Sequence, residues 1–165
     1  MAKKEIMTDL WVYDMLKEIG VQNDFSAQGS NIREIDEALA TASKKGTGNV
    51  GFPEYVGVIN DFLVVIEDKA SLNKHLKRDE NDLISEDVKS VTDYAVNGAL
   101  FYGKHLAKHT TYKKIIAIGV SGNEKNHRIS PLFVDERGGY KELDDVETFI
   151  SFSAANINEY YEREI

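Results

Sequence analysis

Four residues in one stretch have the types and spacing to do chemistry: Glu54, Glu67, Asp68 and Lys69. They lie in two β-rich runs, Glu54 to Ile59 and Phe62 to Asp68, separated by Asn60-Asp61. A two-residue Asn-Asp loop predicts a tight hairpin, because both residues tolerate positive φ. With that turn, Ile59 faces Phe62 and Glu54 faces Glu67, their Cβ atoms roughly 5 Å apart. Lys69 follows Glu67 at a spacing of two and shares its face of the sheet. Like charges directly opposite one another destabilise a strand pair. Val56, Val58, Leu63 and Val65 on this face, with Tyr55, Ile59, Phe62, Val64 and Ile66 on the other, predict a sheet covered on both sides. Two carboxylates at the end of a dry sheet need a cation or a shared proton. A hard divalent cation answers that need, and Mg²⁺ takes one or two protein carboxylates.

Pro53-Glu54 followed by Glu67-Asp68-Lys69 resembles the PD-(D/E)xK nuclease signature, with Glu in place of the usual first Asp. The context Gly51-Phe52-Pro53-Glu54-Tyr55, then a hairpin and Glu-x-Lys, is similar to the nuclease domains of type I restriction motor subunits. It is similar also to those of single-polypeptide restriction-modification enzymes. The resemblance runs from roughly Asn31 to Gly122 and is carried by a short motif. It implies a restriction-endonuclease-like fold and a Mg²⁺-dependent DNA endonuclease domain of a restriction-modification system, with Mn²⁺ as a substitute ion. It implies that Glu54 and Glu67 ligate the metal, with the backbone carbonyl of Asp68 as a further ligand. Lys69 would then orient or activate the attacking water and stabilise charge on the scissile phosphate. DNA and other domains or subunits of a restriction-modification enzyme are the implied partners.

Related nucleases often bring a further acid from a preceding helix. Glu37 is the candidate by position, although it falls opposite the apolar stripe and, like Glu34 and Asp36, reads also as solvated surface. The family's Gln-x-x-x-Tyr pair has no match here: Tyr94, Asn97, Phe101 and Tyr102 occupy that region, and the aromatics read as core. Asp61 sits at the turn tip, away from Glu67, and is not expected to be a ligand. Two other readings stand beside the nuclease. One is a surface hairpin whose Glu and Lys form ion pairs. The other is a non-catalytic interaction domain that keeps a nuclease-like fold, which an acidic surface suits.

The elements that must position these residues are predicted as follows. A helix runs from about Lys4 to Ile19, with Leu10, Tyr13, Met15, Leu16 and Ile19 as its apolar stripe, and Gly20 stops it. Asn23 to Ser30 reads as a loop. Asn31 and Glu34 resemble a capping box for a helix from Ile32 to Ser43, closed by Lys44-Lys45-Gly46-Thr47-Gly48. Ala70 to Asp82 reads as a mobile polar loop. Ser85-Glu86-Asp87 begins a long helix to about Lys108. Strands follow at Lys113 to Val120 and Arg128 to Val134, the second at an edge because of Pro131. A short extended piece at Tyr140 to Leu143 precedes a final helix from Asp144-Asp145 to about Arg163. This order indicates an α/β or α+β domain, a mixed central sheet flanked by helices, spanning residues 1–165 as one unit.

The chain has 165 residues, 42% hydrophobic and 29% charged, as expected of a soluble globular domain. It has no cysteine, which excludes disulfides and thiolate metal sites. The longest apolar run, Phe62 to Ile66, is too short to span a bilayer, and the N-terminus has no apolar signal core. A cytoplasmic protein is expected. The net charge of −8 is awkward for DNA binding. Two basic segments, Lys69 to Arg78 and Lys104 to Lys114, could form a positive rim around an acidic metal centre. His75, His105, His109 and His127 fall in basic or polar segments. His105 and His109 have helical spacing for a metal but read better as an exposed helix end.

Overall fold

In a computed structural model, which describes residues 3–27, 30–43 and 51–165, six strands form one mixed sheet with helices on both faces. The expected architecture is the observed one. The elements are α1 (Lys3–Glu18), β1 (Phe25–Ala27), α2 (Arg33–Leu39), β2 (Tyr55–Ile59), β3 (Phe62–Lys69), α3 (Val88–Asp93), α4 (Ala95–His109), β4 (Lys114–Gly122), β5 (His127–Asp135), β6 (Tyr140–Glu142) and α5 (Ile157–Glu164). Strands are ordered β1 to β6 across the sheet, and all neighbours are antiparallel except β3 and β4.

Alternation along β3 divides the core. Leu63 and Val65 pack with Val56 beneath α2 and α4. Phe62, Val64 and Ile66 pack beneath α1 and the C-terminal aromatics Phe149, Phe152 and Tyr160. Both faces are therefore dry, as the sequence pattern predicts. The first turn of α4 lies hard against β4: a Cβ on Gly119 would stand 2.7 Å from the backbone N and Cα of Val96. Only glycine permits that approach.

Several expectations are corrected. Leu10 and Tyr13 of α1 are exposed, and Val12, Met15 and Leu16 are the buried positions. The stretch read as a loop after Gly20 contains β1, which pairs with β2 as the sheet edge. Gly20 itself has φ 75° and closes α1 as expected. No capping box forms at α2. Ser30 accepts the Ile32 N–H at 3.0 Å, and Glu34 turns away to accept the backbone N–H of Thr111. The stop expected at 44–48 lies outside the described residues.

The long helix is two helices. Asp87 caps α3 by accepting the Ser90 N–H, but Tyr94 is extended and α4 begins after it. The Val96 N–H is taken by the carbonyl of His75 at 2.9 Å, a long-range partner that fixes the new start. The segment after β3 is pinned and not a mobile loop. Asn97 bonds both the N–H and the carbonyl of Lys77, and Arg78 pairs with Glu142 at 2.7 Å.

β5 is internal, between β4 and β6. In an antiparallel strand a residue's N–H and C=O point to the same neighbour. The Pro131 carbonyl accepts from Leu143, so its missing donor faces the side where short β6 has run out. Asp144 and Asp145 do not start a helix. Asp145 bonds Ser130 and Arg128, and α5 begins only at Ile157. Among the described residues no helix is long and apolar enough to cross a membrane.

Candidate functional site

The hairpin forms in the expected register, with Ile59 opposite Phe62 and Tyr55 opposite Ile66. Asn60 takes the positive φ, 54°, that the tight turn demands. Asp61 at the tip pairs with Lys114 at 3.3 Å, at the far end of β3 from Glu67. Glu54 stands immediately before β2, where the sheet ends. Its backbone N–H donates to the Glu67 carboxylate at 2.9 Å, which ties the two residues together.

Glu67 and Asp68 are both buried, 3% and 5% exposed, but point to opposite faces. Glu67 lies on the α4 side. There its charge and that of Glu54, together with burial as the main cause, push the Tyr102 hydroxyl far above its ordinary pKa. Asp68 lies on the α1 side. Its carboxylate and those of Glu54 and Asp9 come within 4.8 Å of one another. Among the described residues this is the group of three carboxylates placed to hold one cation. Asp68 Oδ2 and Asp9 Oδ1 are buried and receive no hydrogen bond from any third group, and the two carboxyls are close enough to share a proton with each other. Burial, then Asp9, then Glu54 and Glu67 push the Asp68 pKa up to about 10. Beside them the Tyr55 hydroxyl donates to the Asp9 carbonyl at 3.1 Å. Burial first, then the neighbouring acids, drive its pKa far up as well.

Asp9 is the acid that sequence reasoning missed. A signal for it existed: Asp9, Val12 and Leu16 share one helical face, and the latter two are fully buried. Glu37 is not at this site; it is exposed and pairs with Arg33 at 2.8 Å.

Lys69 extends on the same side as Glu67, and its ammonium donates to the carbonyl of Thr92 at 3.0 Å. That carbonyl is in the last turn of α3, where a cation is favoured. Among the described residues the partner of the Lys69 ammonium is thus a backbone carbonyl and not the carboxylate of Glu54 or Glu67. Lys74, in the following segment, lies over the Tyr94 ring at 5.3 Å.

The second basic segment cannot rim this centre. β3 and β4 are parallel, Lys69 beside Ser121 and Phe62 beside Lys114, while α4 runs back from Val96 at Gly119 to Gly103 at Ala117. Lys104 to Lys114 therefore lead to the opposite end of the sheet. His105 is also engaged, its Nε2 on the Ala38 carbonyl at 2.9 Å, with the His109 ring 4.3 Å away.

His75 is buried, 2% exposed, contrary to its polar sequence neighbourhood. Its Nδ1 meets Ser121 Oγ and its Nε2 meets Ser130 Oγ, each at 2.7 Å. Ser130 in turn donates to Asp145 at 2.5 Å. Burial first, with the Arg128 charge adding to it, lowers the His75 pKa to about 4. The ring is neutral at physiological pH.

The chain is 34% identical over 163 residues to the type II restriction enzyme and methyltransferase RM.BcgI of Heyndrickxia coagulans. The match covers 98% of this chain and 25% of that protein, so the chain spans about a quarter of its relative's length. No protein-family model and no solved structure gives a significant match. The similarity supports a restriction-modification context.

Proposed function

We propose that the chain is a DNA endonuclease domain of a restriction-modification polypeptide, dependent on Mg²⁺ or, in its place, Mn²⁺. The observation that carries this reading is the convergence of the Asp68, Asp9 and Glu54 carboxylates within 4.8 Å, with buried oxygens of Asp68 and Asp9 that no third group satisfies, at the end of β3 that also bears Glu67 and Lys69. An all-oxygen, anionic donor set fits a hard divalent cation and no soft one. Glu54, Asp68 and, from α1, Asp9 would bring carboxylates to it, while Glu67, whose carboxylate lies on the other face, would support it by holding the Glu54 backbone. Glu54 is the common member, since it touches the α4 side through Glu67 and the α1 side through Asp68. A bound Mg²⁺ supplies Lewis acidity toward a phosphate oxygen and lowers the pKa of a coordinated water.

The remaining work falls to the chain itself. Glu67 holds the backbone of Glu54 and so fixes the spacing of the two acids. Lys69 keeps an ammonium that no described carboxylate neutralises, on the same face as Glu67. Its charge is available to the attacking water and to the phosphate as negative charge develops there. The relative's name joins restriction to methylation in one polypeptide, which favours tethering to other domains as the source of DNA affinity for a module with net charge −8.

A second reading is a nuclease-like domain that only mediates assembly. It is favoured by Ile6, Met7 and Leu10, which leave a row of apolar side chains exposed on α1. Calorimetric titration with Mn²⁺ separates the two. The proposal expects binding in the parent chain, weakened at least about tenfold, the equivalent of 1.4 kcal/mol, in Glu54→Gln and Asp68→Asn. A folded parent that takes up no Mn²⁺ overturns it.

A further inference from the structure

We infer that His75 is a positioning residue for Lys69, and this rests on the proposed role of Lys69 in cleavage. Lys69 ends β3 beside Ser121 of β4. Its ammonium is set by the Thr92 carbonyl, so the location of α3 decides where the charge stands. Four residues after Thr92, beyond the break at Tyr94, the Val96 N–H donates to the His75 carbonyl at 2.9 Å. The His75 ring is then anchored at both nitrogens, to Ser121 and to Ser130. A closed circuit results. It leads from Lys69 to Thr92, through the extended residue Tyr94 to Val96, across to His75, and back to Ser121 at the side of Lys69.

The chemistry of the pieces suits fixation more than reaction. The ring is buried, and both of its nitrogens are already taken by hydroxyls of neighbouring strands. Ser130 is held in turn by Asp145, and Asp145 by Arg128 at 3.1 Å. Ser130 gives its hydroxyl proton to Asp145, so the neutral imidazole donates from Nε2 to Ser130 Oγ and accepts at Nδ1 from the Ser121 hydroxyl. A side chain without polar atoms at this position would leave the Ser121 hydroxyl without its acceptor, remove the donor to Ser130 Oγ, and release the segment that carries the α4 cap. Asn97, bonded to Lys77 and to the Ser85 carbonyl at 2.8 Å, would still hold the rest of that segment. The predicted failure is thus local.

The test compares the full chain with His75→Leu and His75→Gln. The first readout is ¹⁵N relaxation of the Lys69 side-chain ammonium, assigned by its loss in Lys69→Arg. The second is cleavage in the parent polypeptide, with kcat and KM separated. An ordered ammonium is expected in the parent and in His75→Gln, whose amide can retain a serine partner, and a mobile one in His75→Leu. In His75→Leu kcat should fall on the order of 100-fold, as for a misplaced catalytic group, with KM and Mn²⁺ affinity unchanged. An ammonium as ordered in folded His75→Leu as in the parent overturns the inference. If His75→Leu does not fold, the double variant Ser121→Ala/Ser130→Ala keeps the ring, removes both anchors and is judged by the same two readouts. The relaxation measurement does not depend on turnover. A parent without cleavage but with the expected ammonium pattern would therefore count against the proposed function and not against the positioning.

Discussion

The carboxylate of Glu67 accepts the backbone N–H of Glu54 at 2.9 Å, so the two opposed acids are linked by a charge-assisted bond and not merely held in repulsion. Replacement of Glu67 therefore does more than relieve like charge. Glu67→Ala should lose about 1–3 kcal/mol of stability through the orphaned N–H, whereas Glu67→Gln keeps an acceptor and should unfold near the parent's urea midpoint. Both should abolish cleavage in the parent polypeptide. Full cutting by folded Glu67→Gln would remove this residue from the site.

Asp68 gives a pH dependence of unusual sign for a carboxylate. Its folded pKa is raised to about 10 by burial and by Asp9, against about 3.9 unfolded. Between those values the folded state binds more protons, so stability falls as pH rises through the window. In chelated buffer, urea midpoints should drop from pH 6 to pH 8.5, and Asp68→Asn should flatten that slope. Saturating Mn²⁺ should restore the parent's stability at the higher pH and do little for the variant.

His75 acts in the opposite direction. Its folded pKa near 4 lies below the unfolded value of about 6.5. The stability that the neutral ring contributes is complete above pH 6.5 and is lost as pH falls toward 4. His75→Gln should weaken the decline between pH 7 and pH 5 in equilibrium unfolding. An unchanged acid limb would show that the buried ring does not control it.

Lys69 divides catalysis from charge balance. Its ammonium rests on the Thr92 carbonyl and not on the acids. Lys69→Ala should bind Mn²⁺ at least as tightly as the parent yet cleave on the order of 100-fold more slowly. Excess Mg²⁺ should not recover the rate; full recovery would reduce Lys69 to a surrogate for the cation.

Gly119 tests the packing that seats α4. A methyl group there meets the Val96 backbone at 2.7 Å, which no side-chain rotation relieves. Gly119→Ala should cost about 1–3 kcal/mol, seen as a lower Tm. An unshifted transition would mean that α4 can slide away from β4 without loss.

What could be read from the sequence is what short-range chemistry decides. The Asn60-Asp61 turn and the alternation on either side of it determine the pairing of β2 with β3, so the neighbourhood of Glu54, Glu67 and Lys69 was legible. The break at Tyr94 was not, because α4 is started by a carbonyl from His75. Nor was the internal position of β5: Pro131 does lack a donor, but the lack falls beyond the end of β6. The burial of His75 is not legible from its polar sequence neighbours, because it comes from Ser121 and Ser130 on strands far along the chain. Asp9 was passed over because an acid at helical spacing with buried Val12 and Leu16 has no meaning until Asp68 faces it.

The contribution of α1 to the acid cluster has a consequence for folding. The hairpin can pair locally, but Asp9 reaches Asp68 and Glu54 only once α1 has docked on the far face of the sheet. Docking of α1 brings the three carboxyls together, and the raised pKa of Asp68 means that near neutral pH this step takes up a proton unless a cation stands in its place. If the proposed function holds, cation uptake would be coupled to docking of α1, and a chain with its hairpin formed but α1 undocked would be a ligand set only in part.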